Sequence, residues 1–197
     1  MQFRLTYEGK LLAHRDDERL PERSLHVHDI RKKFHKQLGN LWTQHPVFKN
    51  HRATSMPVIG AQPFADFTQD GFLFRPIVIE NNGLVCELDI LMLRDGSPGH
   101  ALQDLDNRLK TIFDALRMAK SSQELGQGTS KGKQSASTDE NPFYVLLQDD
   151  RLITHVAVTT DTLLDPVPNT SRRDAVRLVI TVTIRPYDVN MENLAFT

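Results

Sequence analysis

The chain has 197 residues, of which 39% are hydrophobic and 25% charged, and its formal net charge is −1. A chain of this length and composition is expected to fold as one globular domain with a sizeable core. Its single cysteine, Cys86, excludes an internal disulfide framework and a cysteine-based metal site.

No apolar run approaches the ~20 residues that a membrane-spanning helix requires, and the first residues lack the long apolar core of a signal peptide. We therefore expect a cytoplasmic protein with no membrane partner. Charge is uneven along the chain, since residues 1–60 hold 11 Lys and Arg against 6 Asp and Glu. A basic first third would suit a phosphate backbone, although a solvated surface explains so weak an asymmetry more simply.

The first third of the chain predicts one strand and one helix. Residues 3–7 alternate apolar and polar side chains, which is typical of a short strand. Residues 29–42 carry an apolar stripe at helical spacing and a polar face opposite to it. The stripe comprises Ile30, Phe34, Leu38, Leu41 and Trp42, and the opposite face comprises Arg31, Lys32, Lys33, His35 and Lys36. Residues 43–70 are expected to form a loop, because three prolines and a glycine interrupt them.

The second part predicts alternating strands and a further helix. Residues 72–80 and 84–93 are strand-like runs around Asn81-Asn82-Gly83, a tripeptide that favours a tight hairpin. A helix is predicted over residues 104–120. Residues 121–141 are poor in apolar side chains and are expected to form a disordered insertion. Residues 145–147 and 152–160 form one strand or two, broken at Asp149-Asp150, and residues 175–185 give the clearest alternation of the chain.

These elements add up to the order β-α-β-β-α-β-β. The order predicts an α+β fold with a mixed or antiparallel sheet of about four to five strands and two main helices. We expect a single domain over residues 1–197 with the insertion at 121–141.

Two acidic motifs are the strongest candidates for chemistry. Asp104 and Asp106 lie two residues apart at the start of the predicted helix, and Lys110 follows one turn later. Asp149-Asp150 interrupts two apolar runs. Mg²⁺ prefers carboxylate and water oxygens, and carboxylates brought close together repel each other unless a cation joins them. The pattern therefore indicates a metal site in which one aspartate of the Asp149-Asp150 pair joins Asp104 and Asp106.

Each of these residues also has a purely structural explanation. Asp104 suits a helix N-cap, and Asp106 is favoured by the helix dipole in the first turn. Asp106 and Lys110 form an i,i+4 pair worth only ~0.2–0.5 kcal/mol. Asp149-Asp150 would serve equally in a turn between two strands.

The motifs DLDNRLKTIFDALR at residues 104–117 and FYVLLQDDRLITHVAV at 143–158 resemble the RusA-type Holliday-junction resolvases. These are small dimeric endonucleases, and the resemblance extends over roughly residues 84–185. It implies an Mg²⁺-dependent homodimer that cleaves branched DNA in recombination and repair. It also implies that Asp104, Asp106, Lys110 and Asp150 are catalytic, with the three aspartates holding metal.

The resemblance leaves the DNA contacts to other parts of the chain, because residues 95–103 before the motif carry only His100 as a basic side chain. We expect these contacts from residues 31–36, Lys49, Arg52 or Arg172-Arg173. The alternative function is a catalytically inactive DNA-binding or protein-interaction module on the same fold. A metal-dependent transferase is a weaker alternative, since no glycine-rich nucleotide loop accompanies the acidic pair.

Overall fold

This computed structural model describes residues 1–13, 20–53, 65–95, 105–125, 136–190 and 193–197. Within these ranges the chain forms three helices and seven strands in an α+β arrangement, which confirms the predicted fold class. The helices are α1 Leu20–Gln44, α2 Pro46–Ala53 and α3 Leu105–Leu116. The strands are β1 Gln2–Lys10, β2 Phe67–Gln69, β3 Phe72–Val78, β4 Leu84–Arg94, β5 Phe143–Leu147, β6 Ile153–Thr162 and β7 Ala175–Pro186.

The strands are divided between two sheets. The larger sheet has the order β1-β7-β4-β6, and the smaller has the order β2-β3-β5. β7 runs antiparallel to both β1 and β4, whereas β4 and β6 are parallel. In the smaller sheet, β3 runs parallel to β5 and antiparallel to β2. Both sheets are therefore mixed.

The main core lies between the larger sheet and α1. The predicted helical stripe is buried there, with Ile30, Phe34, Leu38 and Trp42 each no more than 2% exposed. β4 and β7 contribute the alternate side chains that point to the same face. Those buried side chains are Leu84, Cys86, Leu88, Ile90 and Met92 from β4, and Val176, Leu178, Ile180, Val182 and Ile184 from β7. Periodicity predicted both the stripe and the strand faces correctly.

The predicted hairpin around Asn81-Asn82-Gly83 is wrong. β3 and β4 belong to different sheets, and a short 3₁₀ turn over Glu80–Asn82 connects them. Gly83 ends this turn in the left-handed region with φ 60°. A Cβ there would lie 3.1 Å from both the Asn193 side chain and the Asp188 carbonyl, so glycine is required on two counts.

Two predicted loop segments contain structure. Residues 43–70, expected as a loop, include α2 and the short strand β2. The ends of the predicted insertion form 3₁₀ turns at Ser122–Leu125 and Thr138–Glu140, and Leu125 is fully buried. Disorder is thus wrong for these ends, and residues 126–135 lie outside the described part. α3 also ends at Leu116 rather than at Lys120, because the next residues turn to meet β5.

α3 runs antiparallel to β4, and this orientation determines where its two ends lie. Near its start, Arg108 donates a hydrogen bond to the Leu11 carbonyl, and the Leu11 N–H donates to the Asp174 carbonyl at 2.8 Å. This end lies beside the start of β7 and so beside Arg94, the last residue of β4. At the other end, the Met118 N–H donates to the Leu147 carbonyl of β5 at 2.9 Å.

None of the helices in the described ranges is both long enough and apolar enough to cross a membrane.

Candidate functional site

Asp106 and Lys110 lie one turn apart at the start of α3, and both side chains are exposed. Neither forms an ion pair or a side-chain hydrogen bond with any other described residue. Asp104, the first residue of the acidic motif, lies outside the described part of the chain. The start of α3 therefore exposes a carboxylate and an ammonium group that are free of partners among the described residues.

Basic side chains lie close to this end of α3. Arg108 is buried, and its guanidinium donates to the Leu11 carbonyl and, at 3.4 Å, to the Arg173 carbonyl. The Thr111 hydroxyl donates to the Leu12 carbonyl at 3.0 Å and fixes the next turn. The side chains of Arg172 and Arg173 are exposed. Because the Arg173 carbonyl accepts from Arg108, this arginine pair lies beside the start of α3.

Asp150 lies at the opposite end of α3, in contact with two cations. One of its carboxylate oxygens is 3.4 Å from the Lys120 ammonium and 3.9 Å from Nε of Arg117. The Asp150 side chain remains 42% exposed, so it is paired but still open to solvent.

Asp149 forms the tighter contacts of the acidic pair. Its carboxylate lies 3.0 Å from the Lys120 ammonium and accepts a hydrogen bond from the Arg151 N–H at 3.1 Å. Partial burial opposes ionisation, but the Arg151 N–H and Lys120 outweigh it and lower the pKa of Asp149 to about 2. Asp149 thus caps the 3₁₀ turn Asp150–Leu152 and is ionised at neutral pH.

Asp106 and Asp150 are not brought together within one chain. Arg117, which contacts Asp150, lies eleven residues after Asp106, and this places it about 16 Å further along the helix axis. No group of three or more metal-ligating side chains forms within the described residues. The three-carboxylate site expected from the sequence therefore stays a prediction, and a single chain supplies Asp106 and Asp150 at separate places.

The charges around Asp150 balance without a metal ion. We call this group the α3-end cluster; its cations are Arg23, Arg31, Arg117 and Lys120, and its anions are Asp114, Glu124, Asp149 and Asp150. Arg117 is central, because its guanidinium lies 2.7 Å from Asp114 and 2.8 Å from Glu124. Side-chain cations thus meet the requirement for positive charge that close carboxylates impose.

Arg31 and His35 were expected on the exposed basic face of α1, and both are buried instead. Arg31 donates to the Asp114 carbonyl at 2.7 Å and to the Arg117 carbonyl at 3.0 Å. It therefore caps the carbonyl end of α3, where a cation also suits the helix dipole. His35 accepts a hydrogen bond from the Tyr144 N–H at 2.8 Å, and burial lowers its pKa. Neither side chain is available to DNA.

The other predicted DNA contacts differ in their availability. Lys36 and Lys49 are exposed. The Lys32 ammonium lies 3.1 Å from the Glu140 carboxylate. The Arg52 side chain is outside the part of the chain that the structure describes. The sequence predicted no role for Arg117 or Lys120, although both side chains contact Asp150. Nothing in the local sequence indicates these contacts, because the partners are about thirty residues apart.

A scan against protein-family models, a search of curated proteins and a search of solved structures each found no match to this chain.

Proposed function

We propose that this protein is a divalent-cation-dependent endodeoxyribonuclease that acts on branched DNA, with its site at the start of α3. The observation that supports this most directly is the exposed Asp106 and Lys110 pair, free of partners among the described residues and preceded by Asp104. Structural ion pairs satisfy their charges, as the α3-end cluster does. A carboxylate and an ammonium left open at a helix start are suited to a cation and a phosphate.

Each residue has a definable role in this proposal. Asp104 and Asp106 would hold Mg²⁺, which would supply Lewis acidity to the phosphodiester and to the attacking water. Lys110 neutralises charge on the phosphate as the bond breaks. The first N–H groups of α3 and the positive end of its dipole favour an anion at the same place. Arg172 and Arg173 contact neighbouring phosphates of the strand.

Asp150 enters this site if the protein is a homodimer, and the sheet offers an edge for one. At the β1 edge, the Gln37 side chain accepts from the Thr6 N–H at 2.9 Å and donates to the Thr6 carbonyl at 2.8 Å. Over residues 153–161 no side chain of another described element covers the β6 edge in this way. An open ten-residue edge strand without Pro, Lys or Arg is a template for pairing with another strand.

Antiparallel pairing of two β6 strands would also bring the separated carboxylates together. The start of β6 follows Asp150, and its end pairs with Arg94 near the start of α3. In an antiparallel pair, the start of one strand lies beside the end of the other. Pairing centred on Val158 places His155 opposite the partner subunit's Asp161, where the imidazole N–H can donate to the carboxylate. Asp150 of the partner subunit then approaches the Asp106 end of α3.

A catalytically inactive DNA-binding module is the second candidate, and a specific observation favours it. Lys120 and Arg117 already balance the charge of Asp149 and Asp150, so the acidic pair has a complete structural role in one chain. In that case Lys110, Arg172 and Arg173 bind phosphate and no bond is cleaved.

The test compares Asp106→Asn and Lys110→Ala with wild type on a synthetic four-way junction. Asp106→Asn should lower the cleavage rate in Mg²⁺ by at least ~100-fold, because a metal-ligand charge is lost. Its DNA affinity in Ca²⁺ should hold or improve, since less negative charge faces the phosphates. Lys110→Ala should slow cleavage. It should also reduce the slope of log binding affinity against log salt concentration by the amount expected for about one phosphate contact.

The matched control is Asp188→Asn, an exposed carboxylate that follows the end of β7. It should cleave and bind as wild type does. Binding without cleavage by wild type in Mg²⁺ and Mn²⁺ would favour the inactive module. Wild-type cleavage by Asp106→Asn would place any active site elsewhere.

A further inference from the structure

A solvent-open pocket lies between the end of β1, one face of α1 and the loop before β7. Its volume is about 720 Å³, within the range typical of small-molecule sites. β1 supplies residues 7–10, α1 supplies His26, Asp29, Ile30 and Lys33, and the loop supplies residues 167–170. We call it the β1–α1 pocket.

The wall of the pocket depends on a glycine. Gly9 has φ 151°, and a Cβ there would lie 3.0 Å from the Tyr7 hydroxyl and 3.2 Å from the Lys33 ammonium. Without that side chain, the Lys33 ammonium donates to the Glu8 carbonyl at 2.9 Å and lies 4.6 Å from the Tyr7 ring centroid. The chain therefore holds a lysine against an aromatic ring at the pocket wall.

Three side chains of this pocket carry hydrogen-bond donors, namely Lys10, His26 and Lys33. The Leu12 N–H donates to Nε2 of His26 at 3.2 Å, which leaves the proton on Nδ1 and makes that nitrogen a donor. Burial and the neighbouring Lys10 lower the pKa of His26 to about 4, so the ring is neutral at pH 7. Lys10 and Lys33 add two ammonium groups.

The acidic side chains of the pocket differ in their pairing. The Glu8 carboxylate is neutralised by Arg177, whose Nε lies 2.7 Å away. Asp29 has no such partner among the described residues, and its charge contributes to raising the pKa of Tyr7, after burial. The pocket thus combines two lysines for an anionic group with one free carboxylate that accepts from N–H or O–H donors.

We propose that the β1–α1 pocket binds a nucleoside 5′-phosphate unit, with the phosphate on Lys10 and Lys33 and the base on Asp29. A carboxylate that accepts from an exocyclic amino group suits cytosine. Asn169 and Thr170 lie on the opposite wall, where they can contact the sugar.

The position of the pocket relates it to the start of α3. Lys10 is followed by Leu11 and Leu12, whose carbonyls accept from Arg108 and Thr111 of α3. These contacts place the end of β1 beside the start of α3. That the nucleotide belongs to a DNA strand rests on the proposed function, whereas binding of the nucleotide unit does not.

The experiment titrates the metal-free protein with dCMP, deoxycytidine and inorganic phosphate, and follows the imidazole ¹H–¹⁵N signals of His26 by NMR. We expect dCMP to shift these signals at lower concentration than phosphate or deoxycytidine does. Lys10→Gln should weaken dCMP binding about tenfold, because a charge-assisted hydrogen bond is lost. Asp29→Asn should tighten phosphate binding and reduce the preference for dCMP over phosphate. Arg4→Gln, at an exposed arginine near the start of β1, is the matched control and should change nothing.

A second arm adds a short single-stranded deoxyoligonucleotide as competitor against dCMP. Displacement of dCMP assigns the pocket to a strand, and absence of displacement assigns it to a free nucleotide. Equal binding of phosphate and dCMP would overturn the nucleotide assignment. Failure of dCMP to shift His26, or equal affinities for Lys10→Gln and Arg4→Gln, would overturn the site. Because no metal and no cleavage are involved, these results are independent of nuclease activity.

Discussion

Buried charge in this protein is concentrated on a few side chains that reach across the fold. Arg31 is fully buried on α1 and binds the last carbonyls of α3, more than eighty residues later in the chain. Its Nη1 also lies 3.3 Å from Nδ1 of His28, which is buried as well. A histidine beside a buried arginine is held neutral, and this couples the packing of α1 to pH.

His28 should make the stability of the protein depend on pH. Burial, followed by the nearby Arg31 and Lys32, lowers the pKa of His28 to about 3, against about 6.5 in an unfolded chain. Between these values the unfolded state binds more protons than the native state, so the free energy of unfolding falls as pH falls. The loss that His28 contributes is up to about 1.4 kcal/mol per pH unit.

Urea denaturation of wild type and His28→Gln between pH 6.5 and 4.5 measures this effect. Glutamine keeps an acceptor for Arg31 but does not titrate, so the variant should show a shallower loss of stability towards low pH. Parallel pH profiles for the two proteins would contradict the prediction.

At the scale of elements, the small second core holds the ends of the segment at residues 121–141. Leu125 packs with Phe72, Phe74 and Phe143 in a cluster separate from the main core. Glu124, in the same 3₁₀ turn, accepts a hydrogen bond from Arg117 at 2.8 Å. This turn is therefore part of the folded unit and joins the second core to the α3-end cluster.

Leu125→Ala should lower the free energy of unfolding by about 2–5 kcal/mol, because it leaves a cavity in a closely packed aromatic cluster. Gln123→Ala, at an exposed position of the same turn, is the control and should change it by less than about 0.5 kcal/mol. Replacing residues 126–135 by a short Gly-Ser linker should cost less than about 1 kcal/mol, since loop length has a weak effect. Thermal and urea denaturation of the three variants would test this, and a larger loss for the linker than for Leu125→Ala would contradict it.

Sequence periodicity predicted those elements whose partners impose a repeating pattern. The stripe of α1 and the alternation in β7 follow from one buried face each. The hairpin at Asn81-Asn82-Gly83 was wrong because its signal is local. A glycine with positive φ serves a 3₁₀ turn between two sheets as well as a hairpin.

The candidate site was predictable only in part for a related reason. Asp106 and Lys110 share a helix face by spacing alone, and the fold keeps them together. The position of Asp150 depends on β5 and β6 belonging to different sheets and on the parallel pairing of β4 with β6. A single sequence carries no signal for either, nor for the burial of Arg31 against distant carbonyls.

For the whole molecule, the separation of Asp106 and Asp150 distinguishes a site within one chain from a site shared between two. If α3 of one subunit meets Asp150 of the partner subunit, each active site draws on both chains. Val156, at 39% exposure on the open edge strand, would then be covered on dimerisation. Val156→Lys should weaken the dimer in analytical ultracentrifugation, because edge lysines oppose strand pairing.

Mixing two inactive variants tests the shared site directly. As homodimers, Asp106→Asn and Asp150→Asn should each lower the rate of junction cleavage by at least ~100-fold. A mixed dimer has two different sites. One site contains both substituted residues. The other contains Asp106 from the Asp150→Asn subunit and Asp150 from the Asp106→Asn subunit, so both of its carboxylates are intact. Co-refolded mixtures should therefore nick a junction at up to about a quarter of the wild-type rate, since half of the dimers are mixed and each has one intact site. A site contained within one chain would leave every site with one substitution, and the mixture would stay inactive. Lys120→Ala is a further variant for the same assay, because it removes the cation nearest to Asp150 and leaves the Asp150 carboxylate in place.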